Sequence, residues 1–123
     1  MNSISVMSVI AGAMVEGTVL VIPGMAQASL AQCSGNNTCL WGNNDFDFYL
    51  TGKGENLGYS NLTSAQNDRM DSWANRSVSF SSCGRSNANG SGDGQTFGRN
   101  SNDSNVNTFD SDEVSSYKTN GAC

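Results

Sequence analysis

Four cysteines are the residues of this 123-residue chain best placed to do chemistry: Cys33, Cys39, Cys83 and Cys123. There is no histidine anywhere and no C-x-x-C pair, so a zinc site has neither of its usual ligand arrangements. An even cysteine count in a short chain with an export-like leader reads instead as two disulfides. Four cysteines allow three pairings. The "CSGNNTC" stretch holds a Gly-Asn turn able to return the chain on itself, which favours Cys33–Cys39 and leaves Cys83–Cys123 by elimination. Without histidine, neither a Ser-His nor a Cys-His nucleophile pair can be built. Asp45 and Asp47 offer the carboxylate pair that glycoside hydrolysis uses. Strand alternation, however, puts them on a solvated face opposite Phe46 and Phe48. The glycine-rich "GSGDGQTFG" at 90–98 lacks the lysine of a phosphate loop and reads as a hairpin connection. The run "NDRMDSW" at 67–73 is polar and acidic and ends in a large aromatic, with no catalytic look. The chain is not expected to be an enzyme.

Composition narrows the class further. Net charge is −5, the wrong sign for neutralising phosphate, so no nucleic-acid partner is expected. Residues 1–28 are apolar, rich in small residues and end in Ala26-Gln27-Ala28, the A-x-A pattern of a signal peptide cleaved after Ala28. Glu16 interrupts the apolar run and no Lys or Arg precedes it; a start further upstream would supply the missing basic residues. The expectation is a secreted, extracellular domain over 29–123, with no membrane partner once the leader is removed. A domain so small buries a limited share of its surface and gains from covalent ties.

The elements that must carry these residues repeat. Displaced by 44 positions, Cys39 falls on Cys83, Asn43 on Asn87, Ser60-Asn61-Leu62 on Ser104-Asn105-Val106, and Trp73 on Tyr117. "NDRMDSW" thereby pairs with "SDEVSSY". Two similar supersecondary units are implied, one about 39–82 and the other about 83–123. Each reads as all-β. A short strand is expected over 38–41. Phe46, Phe48 and Leu50 alternate at period two, and turn signals such as "TGKGEN" follow. Residues 70–80 read as a further pair of strands, with Met70, Trp73, Val78 and Phe80 offering buried faces. No stretch sustains a helical period. Short strands with dense turn chemistry point to a β-sandwich of Greek-key units.

A late (Asn/Asp)-(Asn/Asp)-x-x-(Ser/Thr)-Ser motif in a Greek-key unit resembles the βγ-crystallin-like domains, in which two units of about 40 residues form one domain. The run "C-x5-C-L-W-x-N" followed by "NDRMDSWANRS" is similar, more narrowly, to peptidase inhibitor family I36, a secreted group that includes a metalloproteinase inhibitor. The resemblance covers roughly 33–123 and is strongest over 33–77. The first unit departs from the family hairpin by placing Phe48 where glycine is expected; the second keeps Gly92 there. The resemblance implies a βγ-crystallin-like two-Greek-key β-sandwich in which the last motif serine ties down a neighbouring hairpin. The aromatic after it, Trp73 or Tyr117, then buries against the opposite sheet. It also implies an extracellular protease as partner, a metalloprotease by preference, with an inhibitory loop expected first near Cys83, Gly84 and Arg85. Calcium-binding members draw oxygen ligands from the motif. The corresponding positions are Asn67, Asp68, Asp71, Ser72, Asp112, Ser115 and Ser116, with Asp71 in a Ser/Thr place and Ser111 in an Asn/Asp place. No cofactor is required by the resemblance; calcium is the one it admits. The alternative it leaves open is a non-inhibitory module, calcium-stabilised, in the envelope or outside the cell.

Overall fold

The computed structural model describes residues 29–123, so the signal-peptide reading of 1–28 lies outside the described residues. β1 (Asn37–Asn43) and β2 (Asp47–Gly54) form a hairpin, followed by β3 (Ser60–Asn61) and β4 (Ser72–Asn75). β5 (Ser82–Arg85), β6 (Gly94–Phe97), β7 (Ser101–Asp103) and β8 (Ser116–Lys118) repeat that order. One sheet runs β2-β1-β4-β7 and the other β3-β8-β5-β6, with antiparallel pairing throughout. Each half therefore lends its third strand to the other half's sheet. That exchange interlocks the halves as paired Greek keys, and no α-helix occurs among the described residues.

The 44-residue displacement recurs in the hydrogen bonds. Leu62 N donates to Ser115 O at 2.9 Å and Val106 N to Asp71 O at 3.1 Å. Asp68 N donates to Val114 O at 3.0 Å and Asp112 N to Met70 O at 2.9 Å. Thr38 and Ser82, equivalent positions of β1 and β5, share a buried hydroxyl–hydroxyl bond of 2.6 Å, as residues facing each other across a local two-fold axis would. Left-handed backbone recurs as well, at Asp45 and Asn89, Asn56 and Asn100, and Asp68 and Asp112. Asn and Asp tolerate that region better than other side-chain-bearing residues.

Between the sheets lie Leu40, Met70, Trp73, Phe97, Val106, Val114 and Tyr117, all buried. The motif aromatics cross the interface. The Trp73 ring sits 4.9 Å from that of Phe97, and the Tyr117 hydroxyl donates to Thr38 O at 3.3 Å. A second cluster of Cys33, Cys39, Trp41 and Ala74, flanked by Leu30 and Phe46, covers the outer face of the first sheet. Disulfides join Cys33 to Cys39 and Cys83 to Cys123, the pairing the Gly-Asn turn favours. Two such bonds mark an oxidising compartment. Among the described residues no helix is long and apolar enough to cross a membrane.

Three local expectations give way. Residues 70–80 hold one strand, β4. Beyond it the chain folds round Ser77, whose hydroxyl accepts from Ser79 N and Phe80 N and donates to Glu55 Oε1 at 2.6 Å. Val78 is left 65% exposed. The alternation of Phe46 and Phe48 against Asp45 and Asp47 also fails. Asp45, Phe46 and Phe48 all have φ near +60°, so the backbone does not run extended there. Phe48 is exposed, while Asp47 Oδ1 is buried with no partner among the described residues. Gly90 and Gly92 hold the equivalent left-handed positions in the second half. There glycine is free of the roughly 1–2 kcal/mol that a side chain costs in this region. Finally, Cys83, Gly84 and Arg85 are not a loop. They lie in β5, hydrogen-bonded to β6 on one edge and β8 on the other. Cys83 is fully buried, and a Cβ on Gly84 would come within 2.8 Å of Phe97. A central strand so enclosed cannot enter a protease cleft.

Candidate functional site

The motif stretches lie in the loops leading into β4 and β8, and each contributes to two surface pockets. Asn43, Asn67, Asp68, Asp71 and Asp112 line the first together with Phe48 and the cationic Arg69. The second is lined by Asn67, Asp68, Asn87 and Ser115, among others. Under the 44-residue displacement Asn43 maps to Asn87, Asp71 to Ser115, and Asp112 of the first pocket corresponds to Asp68 of the second; Asp68 also lines the first, while Asp112 does not line the second. The pockets are twins in position and unequal in charge. The halves meet at both: Ser111 Oγ donates to Asp71 Oδ1, and Ser115 Oγ donates to Asp68 Oδ1 at 3.2 Å.

The first pocket gathers like charge. The Asp112 carboxyl is raised above its ordinary value of 3.8, first by desolvation. The Asp71 carboxylate beside it, a hydrogen bond with Asp71 and the more distant Asp68 add to the rise, while Arg69 partly opposes it. Carboxylates held together this way resist joint ionisation. A hard divalent cation relieves that repulsion and accepts carboxylate, amide and backbone oxygens alike. Among the described residues no group of three or more acid, histidine or cysteine side chains forms a metal cage by itself. Asp68, Asp71 and Asp112 share the pocket without forming such a cage, so a cation here would need amide, carbonyl and water oxygens as well.

Ser72 and Ser116 stand apart from both pockets. Each is fully buried and occupied with a hairpin. Ser72 Oγ donates to Asn43 O at 2.7 Å and accepts from Phe46 N at 3.1 Å. Ser116 Oγ donates to Asn87 O at 2.7 Å and accepts from Gly90 N at 3.0 Å. They are the ties expected of the last motif serine, and both hydroxyls are taken up within the fold. The two asparagines that line the pockets, Asn43 and Asn87, were outside the expected ligand set. Their coincidence at the repeat offset is the sequence signal that points to them.

Two exchanged Greek keys with motif loops at their junction define the fold of a βγ-crystallin domain. The structure is similar to a βγ-crystallin domain from Flavobacterium johnsoniae, with a TM-score of 0.53 and 22% identity over 68% of this chain and 91% of that one. It is likewise similar to a βγ-crystallin domain from Clostridium beijerinckii, with a TM-score of 0.52 and 19% identity over 66% of this chain and 93% of that one. Likeness at such identity speaks to the fold alone. No protein-family model matches the chain, and no curated protein matches it.

Proposed function

We propose that this chain is an exported βγ-crystallin-type module stabilised by calcium taken up at the two motif pockets. The observation that carries the reading is the gathering of Asp68, Asp71 and Asp112 at the junction of the halves, with the Asp112 carboxyl already raised. A cation bridging Asp71 of one half to Asp112 of the other would tie the halves together. The second pocket, with Asp68 as its one carboxylate, would bind more weakly. Export is supported by the two disulfides and by the leader-like composition of 1–28. Calorimetric titration of the oxidised protein tests the reading. The expected affinity is that of extracellular calcium modules, about 10⁻⁴–10⁻³ M. Calcium at tenfold its Kd should add about 1.4 kcal/mol of stability, several degrees in Tm for a domain of this size. A flat titration at millimolar calcium with an unmoved Tm would end it.

Peptidase inhibition of the I36 type is the second reading. It is favoured by a tightly hydrogen-bonded turn in the second half that holds Phe109 82% exposed. A rigid projecting side chain is what a cleft-blocking protein needs, because little ordering cost remains on binding.

A further inference from the structure

The turns at 63–67 and 107–111 are built alike. Gln66 N and Asn67 N donate to Thr63 O at 3.0 and 2.9 Å; Asp110 N and Ser111 N donate to Asn107 O at 3.1 and 2.9 Å. Ala65 stands at the tip of the first and Phe109 at the tip of the second. The same backbone thus forms with alanine, and the turn does not need the ring that Phe109 presents at 82% exposure. Side-chain bonds brace both turns: in the first, Gln66 Oε1 accepts from Thr63 N and Gln66 Nε2 donates to Leu50 O, each at 3.0 Å, and in the second the bracing centres on Asn107. Asn107 Oδ1 accepts from Phe109 N at 2.9 Å and from Asp110 N at 3.0 Å. Asn107 Nδ2 donates to Asp110 Oδ2 at 3.1 Å, and Gln95 Nε2, from β6, donates to Asp110 O at 3.1 Å. Asp110, Asp112 and Glu113 follow Phe109 within four residues, with no Lys or Arg between 107 and 113. An exposed ring on a rigid acidic turn fits an apolar pocket with a cationic rim: the ring supplies the anchor and the acids the steering.

We propose that the 107–111 turn is the protease-docking element of this protein, with Phe109 entering the apolar specificity pocket of an extracellular metalloprotease. The inference rests on the inhibitor reading above. Cleavage needs substrate backbone laid out in extended form. The amides of Phe109, Asp110 and Ser111 are all held by Asn107, so the turn offers its side chain without offering a scissile bond.

The test is a titration of thermolysin, which favours large apolar residues, with the oxidised full chain exported to an oxidising compartment. Wild type should inhibit stoichiometrically. Phe109→Ala should weaken inhibition by about 30-fold or more, as loss of an interface anchor does, with Tm little changed because the ring is 82% exposed. Ala65→Phe added to Phe109→Ala should not restore it; restoration would mean that any exposed ring suffices and would overturn the assignment to this turn. Asn107→Ala should turn the inhibitor into a substrate, cut beside residue 109 as read by mass spectrometry. Full inhibition by Phe109→Ala would overturn the docking role and leave the inhibitor reading standing. No inhibition by wild type would remove both.

Discussion

Ser72 and Ser116 each satisfy a backbone carbonyl and a backbone amide of a hairpin from a fully buried position. Alanine at either site leaves both groups short of a partner. Ser72→Ala should therefore cost about 1–3 kcal/mol, read as a drop in the urea midpoint, and Ser116→Ala a similar amount. A loss confined to one of the two would contradict their equivalence. Asp112 acts in the opposite sense. Its folded carboxyl lies above the ordinary 3.8, so the stability it lends is complete below that pH and is lost as pH rises through the folded value. Once ionised and without a cation, it is a liability. Asp112→Asn, which keeps a residue tolerant of the φ of +58° found there, should raise the calcium-free Tm at pH 7. It should also abolish most of the gain that calcium brings. An unchanged calcium response in that variant would remove Asp112 from the site. The serine ties were implied by the motif's resemblance to crystallin-like units, as was the burial of the aromatic after each serine. Which motif oxygens face solvent was not legible: six consecutive residues of a loop entering a strand give no period from which to read direction.

At the scale of elements, the 44-residue displacement in sequence survives as paired strands, paired turns and paired left-handed residues. The exchange of β3 and β7 between sheets was not visible, since strands of two and three residues carry no pattern. Phe46 and Phe48 misled for a definite reason. Their spacing mimics a half-buried strand, yet they occupy backbone that the second half gives to Gly90 and Gly92. β5 misled likewise: "SSCGRSNANG" is as polar as a loop, but Ser82 is buried through its bond to Thr38, and Gly84 makes room for Phe97. The disulfides differ in the length of chain they close, 6 residues for Cys33–Cys39 and 40 for Cys83–Cys123. On the loop-entropy model the shorter contributes roughly 2 kcal/mol and the longer roughly 4. Replacing Cys83 and Cys123 by alanine should then lower the denaturation midpoint about twice as far as replacing Cys33 and Cys39. The reverse order would point to packing of the outer cluster around Trp41 as the greater contribution.

For the molecule as a whole, two related halves close on a common interior and leave two junction pockets, one carrying more acid than its twin. The inequality has two sources: Asp71 stands where the repeat puts Ser115, and Asp68 lines both pockets while Asp112 lines only the first. A symmetric ancestral pair of sites would fill together; this pair should fill in sequence. Lys53 adds a further tie between the halves, its ammonium donating to Ser60 Oγ and Tyr117 O at 2.8 Å each. Burial lowers its pKa without depriving it of partners. The most direct measurement is a calcium titration of the ¹⁵N-labelled oxidised protein, followed amide by amide. The account predicts shifts confined to the motif loops around 67–71 and 111–115 and the facing hairpins, with Asp71 and Asp112 responding at lower calcium than Ser115 and Asn87. Amides that stay still throughout, or shifts scattered away from the junction of the halves, would contradict it.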